Sequence, residues 1–158
     1  MDVDAAINEP HEGEWIYVSA PLAHLNGTAK ALCEQITVTI RTLGWTVLHR
    51  AACDDDLRGE QRLLEALRTA DACVFDVSSP SEIVGAEIAT AVCSGRPVIA
   101  LEHESHPAAN FISALLDRSR LPAVIRYRDA DDCINALTRT LEDEEWRQAV
   151  GHAAADAV

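Results

Sequence analysis

Residues 70–101 read ADACVFDVSSPSEIVGAEIATAVCSGRPVIAL. Ala72-Cys73-Val74-Phe75 is a near-continuous apolar run, the pattern of a parallel strand covered on both faces. Ser79-Pro80-Ser81-Glu82 follows with the form of a capping box, Ser79 as the cap and Pro80 at the first helical position. The helix it opens runs to about Cys93, and Gly95 supplies the stop. Pro97 to Leu101 is again strand. A strand, a helix and a second strand in direct succession form one βαβ unit, so the sheet is expected to be parallel.

The same alternation extends both ways. Trp15-Ile16-Tyr17-Val18-Ser19 reads as a first strand ended by Pro21. Asn26 offers a cap for a helix carrying Leu32, Ile36, Ile40 and Leu43, and Gly44 ends it. Trp45 to Leu48 is a second strand. A polar loop from His49 to Arg58 holds Asp54-Asp55-Asp56. Leu63, Leu64 and Leu67 mark a second helix, and Ala108, Phe111, Ile112 and Leu115 a fourth. Ala123 to Tyr127 is a fifth strand, and Cys133, Ile134, Leu137 and Leu141 mark a closing helix. The expected architecture is α/β: one domain over residues 14–150, an open five-stranded parallel sheet of order 2-1-3-4-5 with helices on both faces, flavodoxin-like and Rossmann-like. Residues 1–13 lack apolar periodicity and are expected to be mobile, and 151–158 to fray. In that strand order, ligands bind beyond the carboxyl ends of strands 1 and 3, where the loops Ser19 to Asn26 and Asp76 to Glu82 meet.

Composition narrows the ligand. The 158 residues carry a formal net charge of −13, which repels a nucleic-acid polymer or an anionic membrane surface. A small anion held by local donors is compatible with that field. Aromatic residues are 4% of the chain, too few for stacking platforms. No apolar run reaches the roughly 18 residues of a membrane span, and the start MDVDAAINEPHEGE is acidic where a secretory leader is basic. The expected location is the cytoplasm. The cysteines at 33, 53, 73, 93 and 133 form no CxxC pair, so no zinc site is expected; most read as buried, with Cys53 the one to be exposed. His103 and His106 read as a solvated loop with Glu102 and Glu104. No Walker A or GxGxxG pattern occurs, and no cofactor is implied. Asp76 at the end of strand 3 suggests a response-regulator receiver, but the acidic pair after strand 1 and the Lys after strand 5 are missing. Asp76 is then a loop or capping acid.

The third helix carries the chemistry. Val84, Ile88, Ala91 and Val92 share one face at about 100° per residue, and Glu82 lies opposite. Glu87 sits at the edge of the apolar stripe, where partial desolvation is expected to raise its pKa. Two readings stand for it: a boundary glutamate whose head reaches water, and a catalytic carboxyl at the crevice. Ser79, Ser81 and the free N–H groups of the same helix end form an anion site, alongside ordinary capping.

These residues resemble the nucleoside 2-deoxyribosyltransferase-like superfamily, and within it the 2′-deoxynucleoside 5′-phosphate N-hydrolases and the CMP or hydroxymethyl-CMP N-glycosidases. The resemblance rests on Ala70-Asp71, Ser79-Pro80-Ser81, Gly85-Ala86-Glu87-Ile88, Gly95-Arg96-Pro97-Val98, Tyr17-Val18-Ser19-Ala20-Pro21-Leu22 and Phe111-Ile112-Ser113-Ala114-Leu115. It implies that Glu87 is the nucleophile and that Ser81 contacts a 5′-phosphate, with Ser79 and Gly85 beside it. It further implies that Tyr17, Ala20 and Pro21 line the nucleotide pocket and that His49-Arg50 touches base or phosphate. Ser113 would cross a homodimer interface to a neighbouring site. The implied partner is a small nucleotide or nucleoside, and the implied reaction is hydrolysis of its N-glycosidic bond. Two places depart from the pattern. Leu63 stands where the family has an Asp, leaving Glu60 or the Asp54–Asp56 run as substitutes. Ala23 stands where the hydrolases have an Arg, with His24 as a possible replacement. Leu63 keeps open a nucleotide-binding relative without catalysis, and deoxyribosyl transfer between bases is a third reading.

Overall fold

The computed structural model describes residues 14–20, 27–50 and 56–155. Five strands, β1 (Trp15–Ser19), β2 (Thr46–His49), β3 (Ala72–Asp76), β4 (Val98–His103) and β5 (Pro122–Tyr127), pair in parallel in the order β2-β1-β3-β4-β5. The helices are α1 (Gly27–Thr42), α2 (Leu57–Thr69), α3 (Glu82–Cys93), α4 (Asn110–Leu116), α5 (Ala130–Glu142) and α6 (Glu144–Ala155). The flavodoxin-like order expected from the alternation is the observed one.

Strand alternation divides the interior in two. Ile16, Val18, Val47, Val74, Ile99, Leu101 and Tyr127 pack with α1, α5 and α6. Tyr17, Leu48, Cys73, Phe75, Val98 and Ala100 pack with α2, α3 and α4 on the opposite face. Because successive side chains point to opposite faces, Tyr17 and Ser19 share the α2–α3–α4 side. Burying one Leu or Ile in either layer contributes about 1.5–3 kcal/mol. Gly44 and Gly95 follow α1 and α3 with φ of +93° and +70°, conformations that would strain a side chain.

Three expectations are corrected. The cap of α3 is Ser81, not Ser79: Ser81 is extended and its side chain accepts from Val84 N at 3.2 Å. Pro80 therefore precedes the helix. The polar loop after strand 2 is shorter than read, because Asp56 caps α2 by accepting from Gly59 N at 2.7 Å. Strand β4 continues through Glu102 and His103, and Glu102 is buried, accepting from Arg126 Nε at 3.1 Å and Ala108 N at 3.2 Å, rather than solvated in a loop. Helix α6 runs to Ala155, with Ala153 buried. Among the described residues no helix is long and apolar enough to cross a membrane.

Candidate active site

Beside the middle of β1 and just past the carboxyl end of β2, on the α2–α3–α4 side, four side chains converge from four separate stretches of chain. Glu87 is on the face of α3 that carries Val84, Ile88 and Ala91, and it is 4% exposed. The apolar stripe is thus wider than the sequence wheel implies, and it takes the carboxylate inside. Tyr17 reaches it from β1, its hydroxyl donating to Glu87 Oε1 at 2.9 Å. The Arg50 guanidinium, one residue beyond β2, donates to the same oxygen through Nη1. Its Nη2 donates to Glu60 Oε1 at 2.6 Å, from the first turn of α2.

A carboxylate taken out of water needs donors for its lone pairs. Here Oε1 has two. Among the described residues Glu87 Oε2 is buried and has no hydrogen-bond partner, and neither does Ser19 Oγ. The helix wheel places Glu87 at the edge of the apolar stripe; in the structure its head is buried rather than in water, and is paired with the Arg50 cation. Burial, then the Glu87 charge, pushes the Tyr17 phenol well above its ordinary value, so it stays a neutral donor. Burial acts to lower the Arg50 pKa, but Glu87, Tyr17 and Glu60 outweigh it and hold the guanidinium above its usual value.

The remaining site candidates are placed elsewhere. Ser79, Ser81 and Gly85 line a groove of about 420 Å³ between α3 and α4, together with Phe111 and Ile112. Glu87 does not line it. Phe111, read as part of an apolar helix face, is 66% exposed. Ser113 is exposed on α4. A Cβ on Gly85 would sit 3.6 Å from Ile112 Cδ1, an ordinary contact. Ala20 is buried just after β1. His49 faces the other side of the sheet, with Cys33 Sγ 2.8 Å from its Nε2. Burial, with Arg41 adding to it, lowers the His49 pKa, and burial pushes the Cys33 thiol up to about 11. The two neutral groups then share one hydrogen bond. Arg50 lies against Glu87 and Glu60 rather than beside a groove lined by Ser81. Pro21, His24, Cys53, Asp54 and Asp55 lie outside the described residues. Asp56 is occupied as a helix cap, and Leu63 is 3% exposed in the core. Asp76 accepts from Ser78 N at 2.9 Å, a loop-stabilising role.

Sequence reading left the Glu60–Arg50–Glu87 chain unassembled and did not single out Ser19. The period of two that puts Ser19 on the Tyr17 face was available; the approach of Arg50 to Glu87 requires the register of β2 on β1.

No family model matches the chain. It is 31% identical over 138 residues, 80% of its length and 94% of the other's, to a protein of Thermofilum pendens named "Putative 2′-deoxynucleoside 5′-phosphate N-hydrolase 1". Among solved structures it resembles the CMP N-glycosidase of Clostridium botulinum, with a TM-score of 0.61 at 20% identity over 77% of this chain and 97% of that one. It also resembles a 2-deoxyribosyltransferase of Bacillus psychrosaccharolyticus, with a TM-score of 0.56 at 17% identity over 80% and 94%. Both structural likenesses are likenesses of fold.

Proposed function

The chain belongs to the family of the 2′-deoxynucleoside 5′-phosphate N-hydrolases, within the nucleoside 2-deoxyribosyltransferase-like superfamily, and from that premise we propose that it is an enzyme that hydrolyses the N-glycosidic bond of a nucleoside 5′-monophosphate. The reading is carried by one observation: the buried Glu87 carboxylate has one oxygen held by two donors and the other without a partner. A carboxylate so held suits attack on an anomeric carbon.

In this scheme Glu87 Oε2 bonds to C1′ as the C1′–N bond breaks. The bonding pair leaves with the base, which takes up a proton. Water then attacks C1′ and gives up a proton, balancing the one taken by the base; the sugar–carboxylate bond breaks, and Glu87 is regenerated with release of the sugar 5-phosphate. The transition states carry positive charge on the sugar, which the carboxylate stabilises. Tyr17 and Ala20 line the nucleotide pocket. Ser81, at the positive end of α3, meets the phosphate; Ser113 from a second copy in a homodimer adds to it.

Incubation with a panel of nucleoside 5′-monophosphates, followed by chromatography for free base, tests the reading. Base release by the wild-type protein, reduced by about 10²-fold or more in Glu87→Ala, is the expected result. Wild-type turnover in that variant overturns the nucleophile. Tight nucleotide binding with no base released favours the binding relative that Leu63 leaves open, and a new nucleoside formed when a second base is added favours transfer.

A further inference from the structure

Glu87 has a flexible side chain, and its carboxylate can turn about its last torsion unless something holds it. Two donors from different elements meet one oxygen, Tyr17 from β1 and Arg50 from beyond β2. That arrangement uses the lone pairs of Oε1 and leaves Oε2, itself buried, without a donor. The guanidinium is itself held from the far side by Glu60 on α2. Its planar fork can bridge two carboxylates at once, which a lysine ammonium on a single point cannot do with the same fixed geometry. The Arg50 side chain is 12% exposed and that of Glu87 5%, while Glu60 reaches the surface at 44%. The bridge thus ties a buried carboxylate to one half in solvent.

A guanidinium beside the reacting carbon would by itself oppose positive charge building on the sugar. Glu60 cancels that cost. With Glu60 ionised, Arg50 contributes fixed hydrogen-bond geometry and little net charge. Resting on the functional reading above, we propose that Arg50 and Glu60 are positioning residues for the nucleophile: Arg50 clamps Glu87 so that Oε2 faces the anomeric carbon, and Glu60 both seats Arg50 and neutralises it. Arg50 is accordingly not the substrate's phosphate anchor.

Steady-state kinetics of Arg50→Ala, Arg50→Lys and Glu60→Gln on a nucleotide that the wild type hydrolyses decide it. Arg50→Ala is expected to lower kcat by about 10²-fold, the scale of a misplaced reacting group, with KM changed less than about threefold. Added guanidinium chloride at millimolar concentration should return part of the lost kcat, and Arg50→Lys should fall between the two. Glu60→Gln, at a half-exposed position, should keep the wild-type melting temperature and lose roughly tenfold in kcat. A wild-type kcat with a large rise in KM in Arg50→Ala makes Arg50 a substrate-holding residue and overturns the proposal. So does a kcat loss that neither guanidinium nor lysine relieves, or an unchanged Glu60→Gln enzyme. The functional reading fails separately, through a wild-type protein that releases no base. In that event crystal structures of wild type and Arg50→Ala still decide the clamp: a Glu87 carboxylate in the same orientation in both overturns it, and a rotated one supports it.

Discussion

Tyr17 and Glu87 stand seventy positions apart in the chain and meet at 2.9 Å inside the protein, phenol to carboxylate. Neither is held by its neighbours in sequence. The pairing exists because β1 lies beside β3 and α3 folds back over the face that Tyr17 occupies.

Removing that hydroxyl with Tyr17→Phe keeps the ring and its tilted contact with Phe75. A hydrogen bond to a charged acceptor contributes about 1.5–3 kcal/mol, so denaturant unfolding should show a loss of that size. If Glu87 is the nucleophile, turnover should fall roughly 10-fold to 10²-fold.

The same phenol gives the protein an alkaline limit. Its pKa is raised on folding, by burial first and then by Glu87. The stability this represents is fully present below the unfolded value of about 10 and is lost as the pH rises above it. Unfolding measured between about pH 8 and about pH 11 should show an alkaline decline that is smaller in Tyr17→Phe.

His49 acts at the other end. Its folded pKa is depressed by burial, with Arg41 second. Its contribution is complete above the unfolded value of about 6.5 and declines as the pH falls below it. His49→Gln should flatten the acid side of the stability profile. Nitrogen chemical shifts of the imidazole at neutral pH should report a neutral ring.

Leu63→Asp restores an acid at a place where the sequence has none, but that place is core. An unpaired buried carboxylate there should destabilise the fold by at least about 3 kcal/mol, seen as a large drop in melting temperature. A variant as stable as wild type would mean that α2 can turn this position toward the site.

Ser81→Ala removes a true cap and should cost about 1 kcal/mol, whereas Ser79→Ala should cost a few tenths or less. If Ser81 also meets a phosphate, its loss should raise KM for a nucleoside monophosphate more than for the corresponding nucleoside.

Much of the architecture was legible because strand and helix periods differ. The buried runs around Val74 and Ile99 and the stops at Gly44 and Gly95 each have a local cause, and with right-handed crossovers they make a doubly wound parallel sheet the expected one. Local rules failed where two local solutions compete. Ser79 with Glu82 and Ser81 with Val84 are both plausible helix starts. The second is realised while Ser78 Oγ accepts from His103 N at 2.9 Å and meets Tyr127 Oη at 3.1 Å, contacts that depend on β4 and β5. The site was legible only in part. Tyr17 and Glu87 were singled out, but the Arg50 bridge to Glu60 depends on how strand β2 is set against β1, and no nearby residue encodes that.

Strand alternation also sets which changes of length the chain can absorb. One residue inserted in β1 ahead of Tyr17 would exchange the phenol with Ile16 across the sheet, putting a hydroxyl among the side chains of α1 and α5 and an aliphatic group against Glu87. An insertion near Glu104, in the exposed turn after β4, would leave both layers intact. Family members should therefore vary in length at such turns and keep the count from Trp15 to Ser19 fixed.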